Sequence, residues 1–185
     1  MNIQKEKFVS TYNELSAILA DYKLPTWDEL PDIELYMDQV ISLIKKYLEI
    51  FYEVTGSDKF VTPSMINNYV KLGIIPAPVK KKYSKKHLAY LLVVCTLKQT
   101  LDMSTIQKII PTGIDDAQAE RIYSSFVHNH QKAYSYVIEN VKIVADPILK
   151  FESENPDRVN DLVMQVSASA NIFKILTEQL AKISE

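Results

Sequence analysis

The residues best suited to chemistry in this chain are lysines. Lys59, Lys71, Lys80, Lys81, Lys82, Lys85, Lys86 and Lys98 fall between Lys59 and Leu101, and no Asp or Glu falls among them. That window is +8 in a chain whose net charge is −2, so the remainder sums to −10. A segment this one-sided inside an acidic chain is an electrostatic footprint for a polyanion, nucleic acid above all. The plainer reading is a solvated basic face. The chemistry in view is binding, with ammonium groups acting as point charges on phosphate.

Catalytic and metal chemistry find little support. His128 and His130 are two apart on a predicted helix, so they point to different faces and chelate poorly. His87 lies at a basic helix start, where an exposed or capping role is expected. Asp28-Glu29 and Asp115-Asp116 are adjacent acids, and adjacent helical residues do not converge on one substrate. One cysteine, Cys95, excludes an internal disulfide framework and a cysteine-rich zinc site. It sits in the apolar run Leu88–Cys95 and reads as a small buried hydrophobe. Three glycines, with neither GxGxxG nor GxxxxGK[ST], argue against a dinucleotide fold or a P-loop. The expectation is no enzyme, no cofactor and no metal. Tyr123, Tyr134 and Tyr136 with Phe126 could line an aromatic effector pocket, but such a stripe on a long helix is more often core or dimer seam, so a small-molecule effector is possible but unsupported.

The elements that must position the lysines are mostly helical. With 47% apolar and 24% charged residues, a globular core is expected. Residues 2–21 carry apolar side chains at helical spacing. The stretch LPTWDELPD then interrupts, with Trp27 anchoring it to the core. A second helix reads from Asp32 through Phe51 and ends at Gly56-Ser57-Asp58. Thr62 caps and Pro63 opens a third, which stops at Gly73. IIPAPVKKKY, with Pro76 and Pro78, is extended and short. Ser84 caps the next helix, and Ser104 a short one ended by Pro111 and Gly113. Asp115 and Gln118 form a capping box for a long helix. Asn155-Pro156 starts the last, whose seam is Val159, Leu162, Val166, Ser169, Phe173, Leu176, Leu180 and Ile183. No apolar run reaches the roughly 20 residues of a membrane helix, and MNIQKEKF has no signal-peptide core. A reduced, cytoplasmic protein away from the membrane is expected.

Helix, glycine stop, short proline segment, lysine cluster, Tyr-Ser and helix is the layout of a winged helix-turn-helix. The stretch from Thr62 to Ile110 resembles the DNA-binding domain of MerR-type regulators. The likeness rests on INNYVKLGI at Ile66–Ile74, on Lys81-Lys82-Tyr83-Ser84 as the end of the wing, and on Leu91, Val94 and Leu97 in the following helix. More closely, the chain resembles a bacterial family described only as a domain of unknown function, with the INNYVK…KKKYS core and Leu-Tyr-Met-Asp-Gln at 35–39. That likeness spans about 25 to 110.

The resemblance implies that the helix after Thr62 enters the major groove. Asn67 and Asn68 would then read bases, because an asparagine amide pairs with N6 and N7 of adenine. Thr62 and Ser64 would meet phosphate at the helix start, and Tyr69 and Lys71 the backbone. Lys80, Lys81 and Lys82, with Tyr83, Lys85 and Lys86 beside them, would grip phosphates from the wing. Asn67 stands where the MerR family carries an arginine, and Lys81 replaces the wing arginine. The fold expected is all-α with a small wing, followed by long C-terminal helices forming an antiparallel hairpin. The divisions expected are 1–31 (helix and connector), 32–112 (winged helix-turn-helix) and 113–185 (helical hairpin, for dimerisation or an effector). The function expected is a DNA-binding transcriptional regulator that acts on double-stranded DNA as a homodimer. The alternative is a winged-helix adaptor whose basic face meets an acidic protein.

Overall fold

The computed structural model describes residues 3–51, 60–150 and 158–183. Lys59, the Gly56-Ser57-Asp58 stop and the Asn155-Pro156 start lie outside the described residues. The described elements are helices: α1 Ile3–Asp21, α2 Met37–Tyr47, α3 Pro63–Lys71, α4 Lys85–Leu97, α5 Met103–Ile109, α6 Asp116–Leu149 and α7 Arg158–Ile183. The described residues carry no strand, only two isolated antiparallel bridges, Leu35 with Tyr83 and Val79 with Lys82. The all-α expectation therefore holds. The chain divides into two compact units, one of Met1–Tyr22 with His130–Thr177, the other of Lys23–Asn129 with Glu178–Glu185.

The second unit is built around α4. Its residues His87 to Leu92, Val94 and Cys95 are all buried, so this helix has almost no solvent face. A helix apolar on all sides must be enclosed by others. α2 packs on it and on α3, contributing Val40 and Ile44, with Leu48 just beyond. α3 contributes Ile66 and Tyr69. Cys95 is buried as expected, and burial pushes its thiol up to about 11. Such a thiol is inert at neutral pH.

The helix ends follow local chemistry. The Thr62 hydroxyl accepts the Met65 N–H at 3.3 Å, with Pro63 in the first turn. At the other end of α3, Gly73 takes φ 72°. Its N–H donates to the Val70 carbonyl and the Ile74 N–H to the Tyr69 carbonyl, both at 3.0 Å. That pair of bonds is a Schellman motif, and buried Ile74 supplies its apolar contact. Asp115 and Gln118 form the expected reciprocal box: the Gln118 N–H donates to Asp115 at 2.7 Å and the Asp115 N–H to Gln118 at 3.1 Å.

Two helix starts differ from expectation. α2 begins at Met37 rather than Asp32. The Leu35 backbone is taken up by Tyr83, donating to its carbonyl at 2.9 Å and accepting its N–H at 2.8 Å. Long-range pairing thus overrides helix propensity there, and Gln39 accepts the Tyr36 N–H at the true start. The cap of α5 is Asp102, not Ser104. Its carboxylate accepts the Thr105 N–H at 2.8 Å and the Ser104 hydroxyl at 2.7 Å. These bonds hold the Asp102 carboxyl below its usual range.

The LPTWDELPD connector is anchored through Leu24 and Leu30, both buried. Trp27 packs against Tyr123, ring centroids 6.1 Å apart. The Tyr123 hydroxyl donates to the Pro25 carbonyl at 2.8 Å. In the first unit, Ala145 and Leu162 form a small core with Phe8, Tyr12, Val144, Leu149 and Val159. Tyr22, His130 and Tyr134 form an aromatic cluster there, His130 stacking on Tyr134 at 4.5 Å.

The buried Tyr123 bond gives a direct test. Tyr123→Phe should lower the unfolding free energy by about 1–3 kcal/mol, because the Pro25 carbonyl loses its donor inside the fold. Urea denaturation followed by circular dichroism measures it, and an unchanged midpoint would mean that this bond holds nothing.

Candidate nucleic-acid interface

α3 separates its side chains by face. Ile66 and Tyr69 point inward. Ser64, Asn67, Asn68 and Lys71 are exposed at spacings of three and four, and so share the outer face. A short helix carrying a hydroxyl, two amides and an ammonium on one open face has no packing reason for that set. The C-terminal turn of α3 is held in place by α5, whose Gln107 side-chain amide donates to the Leu72 carbonyl at 2.7 Å.

The lysine segment folds back on itself between Val79 and Lys82. The Lys82 N–H donates to the Val79 carbonyl at 2.9 Å. Lys80 and Lys81 take φ 49° and 63°. Two successive residues with positive φ are the mark of a type I′ turn, usually given to Asn and Gly. For lysine this left-handed backbone costs about 1–2 kcal/mol per residue. Strain kept where glycine would relieve it points to a use for the side chains. Both are exposed at the tip.

The other described lysines of the basic window each have a contact. Lys82 pairs with Glu34 at 3.0 Å, and this bond raises its pKa. Lys86 donates to the Ile114 carbonyl and pairs with Asp116 at 3.3 Å, so it ties the entrance of α6 to α4. Lys85 lies over the Trp27 ring, 5.3 Å from its centroid. Lys98 donates to the Phe60 carbonyl at 2.5 Å, and burial lowers its pKa. Thr62 is half-buried and spends its hydroxyl on the α3 cap. Tyr69 and Tyr83 are core residues, each 3% exposed, and position the surface rather than forming it. Among the described residues, Lys71, Lys80 and Lys81 are exposed and outside these contacts, and Ser64, Asn67 and Asn68 are exposed on the same helix as Lys71. Among the described residues no acid pairs with Lys71, Lys80 or Lys81.

Of the two roles expected for His87, exposed or capping, the structure shows the capping one. His87 is buried, and its Nδ1 accepts the Ser84 N–H at 3.0 Å. Tyr83 meets the ring edge-on at 5.5 Å. Burial lowers its pKa, which favours the neutral ring that this acceptor role needs. It thus joins the lysine turn to the start of α4. Its position three after Ser84, where a capping box places Glu or Gln, was the signal for this role. Glu34 and Asp116, the neutralising acids, could not be found from sequence, because they lie far from their lysines along the chain. Among the described residues no group of three or more His, Cys, Asp or Glu could hold a metal ion. No helix of the described residues is long and apolar enough to cross a membrane.

A family model described as Domain of unknown function (DUF1836) matches residues 25–137. The match runs past the end of α5 and well into α6. No curated protein and no solved structure matches the chain.

The strain in the lysine turn is measurable. Lys80→Gly and Lys81→Gly should each raise the unfolding free energy by about 0.5–1 kcal/mol, since glycine enters the left-handed region freely. Urea titration of each variant reads this directly. A loss of stability would show that the lysine side chains support the fold.

Proposed function

We propose that this chain, which belongs to the family described as Domain of unknown function (DUF1836), is a DNA-binding transcriptional regulator with a MerR-like winged helix-turn-helix. The observation that carries the reading is the outer face of α3, where Ser64, Asn67, Asn68 and Lys71 stand together without a packing role. An α-helix fits the major groove, about 12 Å wide. Asn67 and Asn68 would present amides to adenine edges, and Lys71 a charge to the backbone. Ser64 in the first turn would meet a phosphate, helped by the positive end of the helix dipole. The Val79–Lys82 turn is read as the tip of the wing, with Lys80 and Lys81 on flanking phosphates.

A homodimer completes the reading. On α7, Val163, Met164, Val166, Ile172, Phe173, Ile175 and Leu176 are exposed large apolar residues. From Val166 onward the seam expected to close within the chain is open to solvent. Tyr136, Val137 and Ile143 of α6 are exposed in the same unit. An apolar helical surface of this extent is explained by a partner, and two-fold symmetry is the commonest arrangement. Dimerisation would let two modules read half-sites about 34 Å apart, or multiples of that.

For DNA binding, the Lys71→Ala/Lys80→Ala/Lys81→Ala protein should bind random duplex DNA more weakly. Its log K against log salt slope should flatten by up to about 0.9 for each phosphate that is no longer neutralised. Lys82→Ala combined with Glu34→Ala should leave that slope unchanged, because the two charges already offset each other. Asn67→Ala and Asn68→Ala should each cost about 1–3 kcal/mol on a selected site and little on random DNA. Fluorescence anisotropy across a salt series reads all of these. Absence of DNA binding at low salt would hand the face to an acidic protein partner.

For the dimer, sedimentation velocity of the full chain at micromolar concentration should give a dimer. Phe173→Glu with Leu176→Glu should give a monomer of unchanged helix content, since charge in an apolar seam is costly to desolvate. A monomeric parent protein would remove the dimer from the reading.

A further inference from the structure

We propose that the half-open apolar pocket lined by α4, α5 and the start of α6 binds a small uncharged molecule of about two fused aromatic rings. This goes beyond the DNA-binding reading and does not depend on it. The cavity has a volume of about 200 Å³ and lies wholly within the second unit. Tyr90 and Val93 of α4, Ile110 after α5, Ile114 of the linker, and Ile122 and Phe126 of α6 form its walls.

The chemistry of the walls selects the occupant. No lining side chain is charged, and the only polar side-chain atoms are two tyrosine hydroxyls. Both already donate, Tyr90 to the Pro111 carbonyl at 2.6 Å and Tyr123 to the Pro25 carbonyl at 2.8 Å. Water held against these walls meets almost no polar surface. An ion entering it would lose hydration without compensation. An engineered apolar cavity of about 150 Å³ takes up benzene, which sets the scale of ligand for such a volume. A somewhat larger cavity with three aromatic side chains in its wall suits a larger flat, neutral ring system. Ile122 and Phe126 are only partly covered and stand at the rim, where a ligand would enter.

The protein carries its own reporter. Trp27 is the sole tryptophan, and its ring centroid lies 6.1 Å from that of Tyr123 in the cavity wall. The full chain, labelled with nitrogen-15, is titrated with indole and separately with indole-3-acetate, which adds a carboxylate to the same rings. The Trp27 indole N–H resonance should shift saturably with indole, with a Kd of about 1 mM or tighter for so small a ligand. Indole-3-acetate should bind at least tenfold more weakly. Indole near saturation should also raise the melting temperature. Val93→Phe, or Ile122→Phe at the rim, fills the space and should weaken indole at least tenfold with no fall in melting temperature. No saturable shift of the parent protein with indole up to about 10 mM would overturn the proposal, as would equal affinity for the two probes. Undiminished binding in both filled variants would overturn it too. The titration contains no DNA, so its failure leaves the DNA reading standing, and a failure of DNA binding leaves the cavity standing.

Discussion

Enclosure of α4 is the constraint on which the rest of the second unit depends. Eight of its residues are buried, from His87 through Cys95 with Val93 left out. A helix with so little polar surface must be covered on every side, and the coverings are the other features of the unit. α2 lies against it. The Leu35–Tyr83 pairing fixes the segment that leads into it. The Tyr90 hydroxyl ties it to the Pro111 linker. Its polar and charged residues stand near its ends, where each has a defined place. Lys85 meets an indole face, Lys86 a carbonyl and Asp116, and Lys98 the Phe60 carbonyl.

This enclosure redistributes the charge of the basic window. A surface ion pair adds little to stability, but pairing changes which charges can serve a partner. Lys82 and Lys86 are neutralised by acids from outside the window. Among the described lysines of the window, the exposed ones outside such contacts are Lys71 on α3 and the pair Lys80-Lys81. That pair is carried on left-handed backbone, which for lysine is unfavourable. Of the six lysines singled out from the sequence, three, Lys71, Lys80 and Lys81, are exposed and outside these contacts.

The apolar surfaces show a parallel economy. In the second unit the walls of α4, α5 and α6 do not close, leaving the cavity. In the first unit the small core around Ala145 and Leu162 uses only a fraction of the apolar residues that α6 and α7 bring. The aromatic residues near the middle of α6 divide accordingly. Tyr123 and Phe126 line the cavity, Tyr134 packs with Tyr22 and His130, and Tyr136 is exposed. A single aromatic stripe thus serves three surroundings.

Local signals were legible from the residues alone. Thr62-Pro63, Gly73 and the Asp115–Gln118 box act within a few residues, so their spacing carries the whole interaction. Helical periodicity located the other helices for the same reason, and the exposed face of α3 follows from the period once Ile66 and Tyr69 are buried. Pairings distant along the chain were decided only by the tertiary structure. The late start of α2 depends on Tyr83, 48 residues away from Leu35. The neutralisation of Lys82 and Lys86 depends on Glu34 and Asp116. The burial of His87, where a basic helix start allowed exposure or capping, is seen only in the fold, with Tyr83 edge-on to its ring. The cavity depends on how three helices meet, and side-chain volumes in sequence do not specify whether packed walls will touch. Short-range hydrogen bonding and periodicity are properties of a segment; charge pairing, burial and void space are properties of the assembled fold.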